Sequence, residues 1–172
     1  LFEISLSVID IDEPAILTTS TSATSFAEDS LTGINIGTAS ATDPEGQTVT
    51  FSLSGTGSEN FSVDSAGNIS LVNALDYETA TSYTLALNAS DGVNTTSSEL
   101  IITVDDVNEA PSLSNSLAAS SFAENVATGT TIASASASDP ESQTITYSLS
   151  GTGSGNFAVD SAGNITLAAG LD

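Results

Sequence analysis

Carboxylates supply nearly all the chemistry this sequence can offer. It holds 22 Asp and Glu and no Lys, Arg, His or Cys, for a formal net charge of −22. Residues 105–112, Asp-Asp-Val-Asn-Glu-Ala-Pro-Ser, put three acids and an Asn into five positions. Carboxylates about 4 Å apart repel by roughly 1 kcal/mol per pair in bulk water and roughly 4 kcal/mol at an effective dielectric of 20. Such a cluster calls for a cation that the protein does not provide. Carboxylates, an Asn amide and main-chain carbonyls are the hard oxygen ligands that calcium takes, usually about six to eight per ion, whereas magnesium keeps more of its waters.

The same composition excludes other chemistry. Nucleic acid and anionic membrane surfaces both need cationic side chains. Without Cys there is no disulfide framework and no thiolate metal site, which fits a secreted bacterial protein. No run approaches the ~18 apolar residues of a membrane-spanning helix, and no signal peptide is visible. An enzyme is not expected. Nothing positive is present to stabilise an anionic transition state, and the acids recur along the chain instead of forming one unique pair as in a glycosidase. Asp64-Ser65-Ala66-Gly67 resembles the aspartic-protease triplet, but an Ala intervenes and the context is a turn. Disorder is the bland reading of so acidic a chain; regular alternation along its length argues for a fold.

The elements that must position the acids are short and repeated. "FSLSGTGSENFSVDSAGNISL" from Phe51 returns as "YSLSGTGSGNFAVDSAGNITL" from Tyr147, an offset of 96. Residues 26–76 and 122–172 share 34 identities over 51 positions without a gap. "FEISLSVIDIDEPA" from Phe2 matches "SELIITVDDVNEAP" from Ser98. The expected organisation is the last strand and linker of a preceding repeat at 1–13, a complete repeat with its linker at 14–109, and a partial repeat at 110–172, read as an excerpt of a tandem array.

Within the complete copy about seven runs alternate with the period of two that marks half-buried strands. They lie near Ala15–Phe26 and Ile36–Ala41, at Val49/Phe51/Leu53, Phe61/Val63 and Ile69/Leu71, at Tyr83/Leu85/Leu87/Ala89, and at Leu100/Ile102/Val104. This predicts an all-β fold of tandem Greek-key β-sandwiches. Asp64–Ile69 reads as a tight hairpin in which Gly67 and Asn68 tolerate positive φ. The acids sit off the strand faces, at Glu28, Asp43/Glu45, Asp76/Glu78 and Asp91, and at the joints Asp10/Asp12/Glu13 and Asp105/Asp106/Glu109. In a sandwich, Glu28 and Asp76/Glu78 are expected at the pole of the Asp106–Glu109 joint, with Asp43/Glu45 and Asp91 at the other.

With these elements in order, the sequence resembles tandem cadherin repeats of the kind found in large bacterial surface proteins. The family's linker, Asp-x-Asn-Asp-Asn-x-Pro, is matched by Asp106-Val107-Asn108-Glu109-Ala110-Pro111, one residue shorter and with Glu for the second Asp. Its Asp-x-Asp is Asp43-Pro44-Glu45 and Asp139-Pro140-Glu141; its Asp-x-Glu is Asp76-Tyr77-Glu78; its Ala-x-Asp is Ala89-Ser90-Asp91; its N-terminal Glu is Glu28 or Glu124. The resemblance implies calcium at each joint. Ligands would be Glu28, Asp76 and Glu78 from upstream, Asp106, Asn108, Glu109 and the carbonyls of Val107 and Ala110 from the linker, and Asp139 and Glu141 from downstream. At the first joint Asp10, Asp12 and Glu13 would meet Asp43, Glu45 and Asp91. The function implied is a calcium-stiffened segment of an extracellular adhesin or surface fibre. Its partners would be neighbouring repeats and possibly identical chains. The other expectation is a homopolymeric filament built by strand exchange through Phe2–Val8.

Overall fold

In the computed structural model, residues 3–21, 25–117 and 121–171 are described. They divide into two compact units, Leu1–Val107 and Asn108–Asp172. The first unit is a β-sandwich of two four-stranded sheets. One runs in the order β1(Ile16–Thr21), β3(Asn35–Thr42), β6(Asn68–Leu71), β5(Phe61–Val63); the other in the order β2(Ser25–Ala27), β8(Thr95–Asp105), β7(Ser82–Ser90), β4(Thr50–Ser54). All pairings are antiparallel except β2 with β8, which is parallel.

Alternation explains why these strands close on each other. Leu85, Leu87 and Ala89 of β7 and Leu100, Ile102 and Val104 of β8 all point inward and are buried, while Ala86 and Asn88 between them are half-buried and Ile101 and Thr103 are exposed. Ile36, Ala39, Phe61, Ile69 and Leu71 cover them from the other sheet. Each such aliphatic side chain contributes about 1.5–3 kcal/mol when fully buried. Phe61 packs on Tyr83 with centroids 5.3 Å apart at 75°, the edge-to-face geometry that ring quadrupoles favour.

Two expectations change here. The run Ala15–Phe26 is not one strand: β1 pairs with β3 in one sheet and β2 with β8 in the other, so this segment serves both layers. Residues 3–8 form no strand, and Ile4, Leu6 and Val8 are 84%, 89% and 96% exposed; Phe2 lies outside the described residues. The physical reason is pairing. The corresponding residues of the next copy, in β8, are held between β2 and β7, whereas residues 3–8 pair with no strand among the described residues.

The hairpin at Asp64 forms as expected, β5 joined to β6 through Asp64 N–H to Asn68 O at 3.0 Å. Only Gly67 uses positive φ, +81°; Asn68 does not. A Cβ at Gly67 would lie 2.0 Å from the Ala39 carbonyl oxygen, so both the turn and the close approach demand glycine.

The second unit has one four-stranded sheet, in the order β11(Phe157–Val159), β12(Asn164–Leu167), β10(Thr131–Ser138), β9(Ser112–Leu117). It repeats the first sheet of the upstream unit. Among the described residues, 146–150 carry no strand although they match β4 nearly residue for residue.

Candidate metal centre

Three clusters of acids can be built from the residues upward, each within one unit. The first lies at the end of the upstream sandwich that carries Asp12. The turn after β3 is shaped by Asp43, whose Oδ1 accepts the backbone N–H of Glu45 at 3.0 Å and of Gln47 at 2.8 Å. The turn between β7 and β8 is shaped likewise by Asp91, whose Oδ1 accepts N–H from Val93 at 2.7 Å and Asn94 at 2.6 Å. Asp and Asn favour such turns because their side chains can take backbone donors two or three residues on. These two donors, Asn94 first, hold the Asp91 carboxyl below its ordinary value.

Satisfying one oxygen leaves the other. The Oδ2 atoms of Asp43 and Asp91 are both buried and have no hydrogen-bond partner. Asp91 as a residue is only 8% exposed. A buried carboxylate oxygen without a partner is costly, and a hard cation offsets that cost. Asp10, Glu13 and Glu45 each bring one carboxylate oxygen to within 4.8 Å of the others. Hydrogen bonding to the Glu13 carboxyl, with burial second, pushes Glu45 above its ordinary value. Repulsion from the Glu13 and Asp43 carboxylates adds a smaller push in the same direction. Asp12 is held differently, by amides: Gln47 Nε2 donates to its Oδ1, and Asn94 Nδ2 to its Oδ2 and carbonyl.

The second cluster is at the opposite end of the same sandwich, around Glu28. This residue follows β2, is 7% exposed, and uses both carboxylate oxygens: Oε2 accepts Tyr77 N–H at 2.7 Å and Oε1 accepts Val107 N–H at 2.8 Å. One oxygen of Glu78 lies within 4.8 Å of Glu28, and one within 4.8 Å of Asp106. Asp76 is exposed; its Oδ1 accepts Thr79 N–H at 2.9 Å within its own turn.

The third cluster belongs to the downstream unit. Asp139 Oδ1 accepts Gln143 N–H at 2.9 Å, as Asp43 does Gln47. Glu109 N–H donates to Glu141 Oε1 at 3.1 Å, as Glu13 N–H does to Glu45 Oε2 at 3.3 Å. Asn108 Oδ1 accepts Gln143 Nε2, and Glu141 Oε2 is buried without a partner. Ala110 is exposed. Glu124 is exposed too, unlike its counterpart Glu28.

In the upstream sandwich Asp10, Glu13 and Glu45 come together, and Asp12 is linked through Gln47 to Asp43 and through Asn94 to Asp91. Glu78 lies near Glu28 and Asp106, while Asp76 bonds within its own turn. Sequence reasoning missed Gln47, Asn94 and Gln143, which contact the linker side chains. A signal existed: Gln recurs at the 96-residue offset in "DPEGQT" and "DPESQT".

The cadherin-domain family profile matches residues 22–105. The chain is 34% identical to mouse cadherin-related family member 1 over 143 residues, covering 79% of this chain and 17% of that protein. It is 33% identical to human protocadherin Fat 1 over 172 residues, covering 91% of this chain and 4% of that one. The chain thus spans a small part of the curated relatives it matches. Among solved structures, human protocadherin-24 EC1-2 (form II) shares the fold with a TM-score of 0.59 at 23% identity, over 94% of this chain and 82% of that one.

Proposed function

We propose that residues 22–105, which the cadherin-domain profile matches, are an extracellular adhesion module and that the chain is a calcium-stiffened structural segment of an extracellular adhesin or surface fibre. The repeats, 14–109 and 110–172 with the end of another at 1–13, would be the links, and neighbouring repeats each other's partners. Calcium supplies charge neutralisation and multidentate oxygen coordination. Glu28, Asp76, Glu78, Asp106, Asn108, Glu109, Asp139 and Glu141, with the carbonyls of Val107 and Ala110, would hold it at one joint. Asp10, Asp12, Glu13, Asp43, Glu45 and Asp91 would contribute at the other.

The observation that carries this reading is the pair of buried, unpartnered oxygens on Asp43 and Asp91. Nothing in the chain can neutralise them, since it has no cationic side chain. That the surface is a bacterial one rests on the resemblance and on the absence of Cys; the relatives above are animal proteins. A strand-exchange filament finds no support in those matches.

Asp43→Asn and Asp91→Asn test the reading because each keeps the Oδ1 that serves the turn and removes the charge. Calcium affinity should fall at least tenfold, with the melting temperature in chelator unchanged or raised. Unchanged affinity in both variants would sink the assignment. For the stiffening itself, small-angle scattering of the whole chain should show a longer maximum dimension in calcium than in chelator, and Glu109→Ala with Asp76→Ala should abolish the difference.

A further inference from the structure

The same two contacts tie the linker to the repeat that follows it in both copies. In the upstream unit Gln47 donates its side-chain amide to Asp12, and its backbone N–H to Asp43 at 2.8 Å. In the downstream unit Gln143 donates its side-chain amide to Asn108, and its backbone N–H to Asp139 at 2.9 Å. One residue thus bridges the linker side chain and the first acid of the Asp-Pro-Glu turn. A second bond runs in parallel, from the backbone N–H of Glu13 or Glu109 to Glu45 or Glu141. Residues 10–13 carry no secondary structure and 108–110 none either.

We propose that Gln47 and Gln143 are positioning residues which dock the linker onto the following repeat before any metal arrives, so that the downstream half of each cation site is assembled in advance. The inference rests on the calcium reading for its purpose but not for its first observable. Ordering a residue's backbone costs on the order of 1–2 kcal/mol, and a site that has already met that cost binds its ion more tightly. The amide does not exclude a cation. A carboxylate has about four lone-pair positions, and Gln47 uses one of those on Asp12 Oδ1.

The test uses the whole chain and two readouts. In chelator, hydrogen exchange at residues 12–13 should speed up in Gln47→Ala while 108–110 stay as in the parent; Gln143→Ala should do the reverse. Exchange in β7 and β8 should not move, which separates linker release from loss of the sandwich. Gln47→Glu keeps the length and removes the donor, so it should release residues 12–13 as fully as Gln47→Ala. In calcium, Gln47→Ala should weaken binding roughly tenfold, the scale of one hydrogen bond to a charged group. Gln143→Ala, acting on a neutral amide, should weaken it about threefold. Unchanged linker exchange overturns the proposal, and so does released exchange with unaltered calcium affinity. If the parent chain binds no calcium, the calcium reading falls and the exchange result alone decides the docking.

Discussion

Two copies of nearly the same 51 residues behave differently, and the difference separates what a sequence settles locally from what it settles only through partners. The turns agree closely. Asp64 accepts N–H from Ala66 at 2.9 Å and Asn68 at 2.8 Å; Asp160 accepts from Ala162 and Asn164 at the same distances. Gly67 and Gly163 share φ of +81° and face Ala39 and Ala135 carbonyls at 2.0 and 2.1 Å from a built Cβ. The strands do not agree. Residues 50–54 form β4 against β7, while 146–150 form none. Phe61 is buried, but Phe157 only partly so. A turn carries its hydrogen-bond partners within five residues; a strand borrows them from a distant segment.

Substitutions made at matched positions can break or sharpen that contrast. Gly67→Ala and Gly163→Ala should be the most damaging and about equal, each costing roughly 3 kcal/mol or more from left-handed strain plus backbone overlap. Unequal losses, read by denaturant unfolding with exchange resolving the two units, would show that the turns are not autonomous. Leu53→Ala should cost about 2 kcal/mol because Leu53 packs on the core from β4. Leu149→Ala should cost less, about 1 kcal/mol, since Leu149 is half-buried in a run that carries no strand; a similar loss at both would contradict the pairing argument. Gly57→Ala should exceed Gly153→Ala by about 1–2 kcal/mol. A Cβ at Gly57 would lie 2.5 Å from Tyr83 Cδ1, while nothing lies within 4 Å at Gly153.

Acid should act alike on the matched turns at Asp64 and Asp160. Asp64 and Asp160 are held below the ordinary value of 3.8, first by their Asn side chains, and Asp91 by backbone donors. Since folding lowers these values, the stability they contribute is complete above 3.8 and is lost as pH falls through the lower folded values. In metal-free protein, melting temperature should be flat from neutral pH to about 5 on their account and drop below about 4. Asp64→Asn should flatten that drop in the first unit alone.

Much of this was legible in advance because its causes are local. Period-two burial placed β3 to β8, and Asp, Gly and Asn marked the hairpin turn. The offset of 96 assigned the acids to recurring loops. The split of Ala15–Phe26 between two sheets was not legible. Alternation tells which side chains turn inward, but not which of two facing sheets receives a strand. The fate of 146–150 was hidden for the same reason: the run looks like β4, and only its partner makes it one. Gln47, Asn94 and Gln143 escaped attention because a search for metal ligands looks for oxygens. Their part is to donate to the linker side chains.

Calcium titration of the whole chain, with heat and melting temperature followed together and magnesium as control, tests the central claim most directly. The account predicts saturable calcium binding and a large rise in melting temperature. An ion at 100 times its dissociation constant adds about 2.7 kcal/mol to the folded state, or roughly 4–8 °C per kcal/mol for a unit of this size. Magnesium should do much less. A flat titration of a folded chain would contradict it, leaving the sandwich intact and the unpartnered oxygens of Asp43 and Asp91 without a ligand.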